Sequence, residues 1–269
     1  MEYGSQFDYV DVAGVQLYVV RHRPAAAPRA SVVIAGPFAP YRPDSYASLA
    51  RWGRFLAAAG HEVIRFDYRG VGESSGRFED FTFSDWYADL TTAVGLLGNQ
   101  RSVPLVLHGV GLGGIFAARA FGALQGDALA LWGSPRSARN LMTDALRARL
   151  AGDLVHTTTA TRKTRDDYVA ELEAGTSIEV DDYRWTRALW LDSEQWNLEL
   201  PATLEGQAER ARSWTLTQAH AHLVTATGKG VRADPDKKMR PMTSPAVDAL
   251  FAETLGWLDE VAARKKDVA

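Results

Sequence analysis

Three short runs are apolar at nearly every position: SVVIA at Ser31–Ala35, PLVLH at 104–108 and ALALW at Ala128–Trp132. Strands covered on both faces carry such runs, whereas half-exposed strands alternate apolar with polar. Glu62–Phe66 (EVIRF) reads as a fourth strand. Amphipathic stretches at 45–59, 84–97, 115–124 and 245–263 separate or follow these runs, with apolar residues at helical spacing. In the first, the predicted stripe is Tyr46, Leu49, Trp52, Phe55, Leu56 and Ala59, with Asp44 or Ser45 as the cap and Gly60 as the stop. In the last it is Leu250, Thr254, Trp257, Leu258 and Val261. Residues 7–12 and 15–20 predict a hairpin around Ala13-Gly14. Strands alternating with helices predict a parallel sheet covered on both faces.

The pattern breaks at 136–205. That stretch is polar and helical in character, has a Thr-rich run at 157–161, and becomes aromatic at Tyr183, Trp185, Trp190 and Trp196. We read it as a helical cap inserted into a core made of 1–135 and 206–269. The α/β pattern resumes with a strand at 213–217 and a weaker one within 223–227. The cap tryptophans serve equally as glue between cap and core and as an apolar pocket wall.

Composition narrows the function. The 269 residues contain no cysteine, which excludes disulfides, thiolate metal sites and a cysteine nucleophile. A net charge of −3 and short basic clusters leave no basic face for nucleic acid or anionic membrane. The polar, acidic start and the lack of a bilayer-length apolar run lead us to expect a cytoplasmic protein.

Chemistry is expected at the carboxyl ends of the strands. Gly109-Val-Gly-Leu-Gly-Gly114 stands between a strand and a helix and admits two readings. As G-x-G-x-x-G it is a dinucleotide fingerprint, but the next strand ends Leu131-Trp132-Gly133-Ser134 without the acidic residue that would hold a ribose. As a strand-to-helix elbow it fits G-x-S-x-G except at its centre.

With Phe66-Asp-Tyr-Arg-Gly-Val-Gly-Glu-Ser-Ser-Gly76 upstream and Gly36-Pro37-Phe38 after the first parallel strand, the chain over 7–135 resembles the α/β-hydrolase superfamily. It is most similar to the serine aminopeptidase-like and lysophospholipase-like group, and to the small hydrolases found with exosortase and exopolysaccharide systems. The resemblance implies an α/β-hydrolase fold with a mostly parallel, doubly wound sheet. It places Gly36-Pro37-Phe38 in the oxyanion loop and Gly111 at the nucleophile position. Glycine has no side chain to attack a carbonyl. The resemblance also places an acid after a late strand, where this chain reads Thr217-Gln218-Ala219-His220, and a histidine before the last helix, where it reads Met239-Arg-Pro-Met-Thr-Ser-Pro245. No histidine follows His222. Asp234 and Asp236 lie in a polar loop.

Other residues have plainer roles. Ser134 reads as a turn residue, His108 as a strand residue bonded to backbone, and Asp67, Arg69, Ser74 and Ser75 as braces of their turn. His220 and His222 make no metal site without a nearby carboxylate. We therefore expect no metal and no cofactor. Two classes of function stay open: a non-catalytic binding protein for a small acyl or carboxylate ligand or a protein partner, and an enzyme acting on an ester, thioester or amide through a relocated nucleophile. The candidate ligand-binding residues are Phe38, Gly111, Leu112, Ser134, Trp185 and Trp190. Phe38 and Leu112 would contribute their backbone N–H groups.

Overall fold

The computed structural model describes residues 3–98, 101–156, 163–217 and 244–266. The elements in chain order are β1 (Tyr3–Val12), β2 (Val15–Pro24), β3 (Ser31–Ala35), α1 (Arg42–Ala58), β4 (Glu62–Phe66), α2 (Phe83–Gly95), β5 (Leu105–Val110), α3 (Gly113–Ala120) and β6 (Ala128–Trp132). Then come α4 (Ala138–His156), α5 (Arg165–Glu173), β7 (Ile178–Val180), β8 (Tyr183–Trp185), α6 (Arg187–Asp192), β9 (Ala211–Trp214) and α7 (Pro245–Lys266).

Seven strands form one sheet in the order β1-β2-β4-β3-β5-β6-β9. The β1–β2 hairpin joins antiparallel, and β4, β3, β5, β6 and β9 run parallel. Alternate residues of the buried strands feed two apolar layers. Val33, Ala35, Leu105, Leu107, Leu129 and Leu131 pack with α2 and α3. Val32, Ile34, Val106, Val110, Ala130 and Trp132 pack with α1 and α7. Every expected inner position of α7 is buried, as are Val247 and Phe251. Thr254 is tolerated there because its hydroxyl accepts from Trp132 Nε1 at 3.1 Å.

The α1 stripe differs from expectation. Leu49, Trp52 and Leu56 are buried, but Phe55 is 40% exposed. The buried side is completed by Ser45, Ser48 and Gly53, and Gly53 abuts the His22 ring. Small residues let the helix approach the sheet closely, and a count of apolar positions does not see them. The helix also begins earlier, at Arg42. Pro43 falls in its first turn, where a missing N–H costs nothing, and no side chain caps it.

Among the described residues, the segment between β6 and β9 contains the α-helices α4, α5 and α6 and the β7–β8 hairpin. Asp181 and Asp182 form its turn with φ of 50° and 65°, the conformation a two-residue hairpin needs. Its apolar residues, among them Tyr168, Leu172, Trp185, Leu189, Trp190 and Trp196, form one cluster with the α2–α3 layer. Polar ties add to this packing. The Ser84 amide and hydroxyl both donate to Asp192 at 2.8 Å, and Arg119 donates to the Gln195 carbonyl at 3.0 Å while stacking on Trp196. The Thr-rich run at 157–161 and the strand expected within 223–227 lie outside the described residues. Among the described residues, no helix is long and apolar enough to cross a membrane.

Candidate functional site

The apolar run of β5 ends at Val110, and the chain turns at Gly111 into α3. Gly111 has φ of 55°, a conformation in which a Cβ would clash with its own carbonyl. Its amide donates to the Trp132 carbonyl at 2.8 Å and its carbonyl accepts from the Gly114 amide at 3.0 Å, so both neighbours of the turn fix it. The predicted elbow is therefore present, with glycine at its apex.

The loop after β3 lies directly against this elbow. The Gly36 carbonyl accepts from the Gly113 amide at 3.1 Å and from the Tyr68 hydroxyl at 3.0 Å. A side chain at Gly113 would run into the Ala35 carbonyl, so glycine is needed for the two segments to meet. Phe38 anchors the loop from the other end. Its ring is fully buried, stacked on Phe83 at 5.8 Å and packed against Trp86, Phe78 and Trp185. The Phe38 side chain is thus a core residue, and only its backbone is left to meet a ligand. Among the described residues, neither the Phe38 N–H nor the Leu112 N–H donates to a protein acceptor.

The turn after β4 is braced as its polar residues suggested. Arg42 holds Asp67 with two hydrogen bonds, Nε to Oδ1 at 2.9 Å and Nη2 to Oδ2 at 2.5 Å. Asp67 also accepts from the Glu73 amide, and the Ser74 hydroxyl donates to the Asp67 carbonyl. Ser74 and Ser75 in turn accept from the Tyr18 and Gln16 amides of β2. Arg69 is held by the fully buried Asp89, from its amide at 2.9 Å and its Nε at 2.5 Å. These groups carry the loops, and the Asp67 and Asp89 carboxylates are spent on Arg42, Arg69 and backbone amides.

The remaining candidates are spread out. His108 points into the α1–α7 layer, away from the elbow. Its Nδ1 faces the Ala130 carbonyl at 3.2 Å, its ring packs edge-on against Trp132, and its Nε2 is buried without a partner. Burial pushes its pKa down to about 4, so it is neutral near pH 7. The Ser134 hydroxyl lies against Gly114 at the start of α3 and is also buried without a partner. Trp185 and Trp190 are buried, and their indole N–H groups have no acceptor among the described residues. Trp190 is covered by the Arg139 guanidinium at 3.6 Å. His220, His222, Asp234 and Asp236 lie outside the described residues. Among those described, no group of three His, Asp or Glu side chains could hold a metal.

Sequence reasoning overlooked Arg42, Tyr68 and Asp89. Each acts on a loop remote in sequence, and only the neighbourhood of Asp67 hinted at Tyr68.

A mostly parallel sheet of this order, with a strand-to-helix elbow after β5 facing a loop after β3, defines an α/β-hydrolase fold. A family model described as serine aminopeptidase, S33, matches residues 26–174. The chain belongs to that family.

Among solved structures, Est1E from Butyrivibrio proteoclasticus with bound ferulic acid superposes with a TM-score of 0.61 at 13% identity, covering 95% of this chain and 99% of that one. The mouse alpha/beta hydrolase domain-containing protein 10 superposes at 0.56 and 14% identity, with the same coverage. At such identities the likeness is one of fold. A curated relative, the mitochondrial palmitoyl-protein thioesterase ABHD10 of Homo sapiens, is 36% identical over 89 residues. The matched stretch spans 33% of this chain and 28% of that relative.

Proposed function

We propose that this chain keeps the hydrolase cleft without serine-hydrolase chemistry and binds a small acyl or carboxylate ligand at the elbow. The observation that carries this reading is Gly111 at the apex with φ of 55°. The turn survives while the attacking hydroxyl does not. The Phe38 and Leu112 N–H groups supply donors for a carbonyl or carboxylate oxygen, and neither depends on a triad. The start of α3 adds the favourable end of its dipole. With no side chain at 111, an oxygen can approach this backbone more closely than it could past a serine. A relative described as a palmitoyl-protein thioesterase supports an acyl group as the ligand class.

Octanoate tests the reading. It should bind the wild-type chain saturably by calorimetry and raise its melting temperature. Leu112→Pro removes one donor, and the residue's φ of −52° already suits proline. Once circular dichroism shows this variant folded, octanoate binding should be at least tenfold weaker. Equal binding by both proteins would contradict the reading.

A second reading is favoured by one observation, the buried, unpartnered hydroxyl of Ser134 beside α3. A relocated nucleophile there would make the chain a hydrolase of an ester or thioester. Labelling by a fluorophosphonate that is lost in Ser134→Ala would establish it.

A further inference from the structure

We propose that the crevice between the first turns of α1 and the carboxyl ends of β3 and β4 binds the carboxylate of a small organic monocarboxylic acid, with Arg65 as its cation. The crevice shares Gly36 and Pro37 with the loop that lies against the elbow, but neither Gly111 nor Leu112 lines it, and it does not rest on the reading given above.

The crevice has a volume of about 30 Å³. A single water needs roughly 10–15 Å³ measured this way, so two or three heavy atoms fit, the size of a carboxylate group. Its walls include Ile34, Leu49, Phe66 and Val71, and its polar edge is made by Arg42, Arg65 and Asp67.

Charge selects the ligand. Arg42 and Asp67 form a two-bonded pair that is neutral as a unit. Arg65 has no carboxylate partner among the described residues. Its one hydrogen bond is from Nε to His22 Nε2, long at 3.4 Å. Burial and the Arg65 and Arg54 guanidiniums push the His22 pKa down to about 4, so this nitrogen is an acceptor and adds no charge. Arg42 and Arg65 both stack on the Tyr46 ring, at 4.5 and 4.9 Å from its centroid, which holds the Arg65 plane in place. The exposed Glu73 carboxylate acts on Arg42, so the planar fork left open to the crevice is that of Arg65, which a carboxylate complements. A phosphate dianion would over-compensate the charge of a single guanidinium. The apolar walls favour a carbon chain over a small inorganic anion.

The experiment is an amide chemical-shift titration of the full chain with sodium propionate, and separately with inorganic phosphate, at constant ionic strength. Propionate should shift the amides of Arg42, Tyr46 and Leu49 saturably, with a dissociation constant of about millimolar, within what so few atoms can supply. Arg65→Gln should weaken this at least tenfold, and Gly95→Ala, outside both sites, should leave it unchanged. If Arg65→Gln fails to fold, Leu49→Phe, which fills the crevice, should give the same loss. Saturable phosphate shifts tighter than those of propionate, no saturable propionate shift in the wild type, or full propionate binding by a folded Arg65→Gln or Leu49→Phe would each overturn the proposal. Octanoate carries the same carboxylate, so the elbow is read in an Arg65→Gln background, where loss of octanoate binding on adding Leu112→Pro reports on the elbow and not on the crevice.

Discussion

The Gly113 amide donates to the Gly36 carbonyl at 3.1 Å, tying the first residue of α3 to the loop after β3. A side chain at 113 would meet the Ala35 carbonyl and push the two segments apart. Gly113→Ala should therefore cost roughly 2–4 kcal/mol of stability, the range of severe overpacking. Gly95→Ala, at the exposed end of α2 with nothing near its Cβ, should be neutral or slightly stabilising. Denaturant unfolding of the pair measures this, and equal effects would contradict the close approach.

Arg69 and Asp89 are both buried and share two hydrogen bonds. Asp89→Ala leaves the buried Arg69 guanidinium with only the more distant Asp85 carboxylate, at 3.9 Å, and should cost about 3 kcal/mol. Replacing both, with Arg69→Met and Asp89→Leu, should cost less than Asp89→Ala. Urea midpoints of the three proteins check the order, and additive losses would deny the coupling.

The fold reads readily from the runs SVVIA, PLVLH and ALALW, because strands covered on both faces must be apolar throughout. The elbow reads as readily, since a backbone turn and a close loop contact both require glycine. Other features are hidden for physical reasons. The partners Arg42–Asp67 and Arg69–Asp89 meet only through the sheet order. The β7–β8 hairpin has three-residue strands and an Asp-Asp turn in place of the glycine that usually marks positive φ. Phe55 looked buried because Ser45, Ser48 and Gly53 carry no apolar signal, although they form the close side of α1.

His108 links stability to pH. Its folded pKa of about 4 lies below the ordinary value of 6.5, so the unfolded chain takes up this proton first. The stabilisation is complete above pH 6.5 and is lost as pH falls toward 4, by up to about 3 kcal/mol. His108→Phe should flatten this part of the profile. Melting temperatures between pH 7.5 and 5 test it, and an unchanged slope in the variant would exclude His108 as the source.

Gly111→Ser should cost about 1–2 kcal/mol, because a side chain is strained at this positive φ. It should not create an esterase. A serine needs a base within hydrogen-bond reach, and among the described residues the nearest in sequence, His108, faces the opposite layer. Hydrolysis of p-nitrophenyl acetate by this variant should stay within about tenfold of wild type, below the gain of a positioned base. A hundredfold gain would reveal a base at the elbow.

The most direct test of a cleft that binds without cleaving is the intact mass of the wild-type chain after prolonged exposure to excess fluorophosphonate. A chain without an activated serine should keep its unmodified mass. A stoichiometric phosphonyl adduct, at Ser134 or at any other serine, would contradict the account and make the chain a working serine hydrolase.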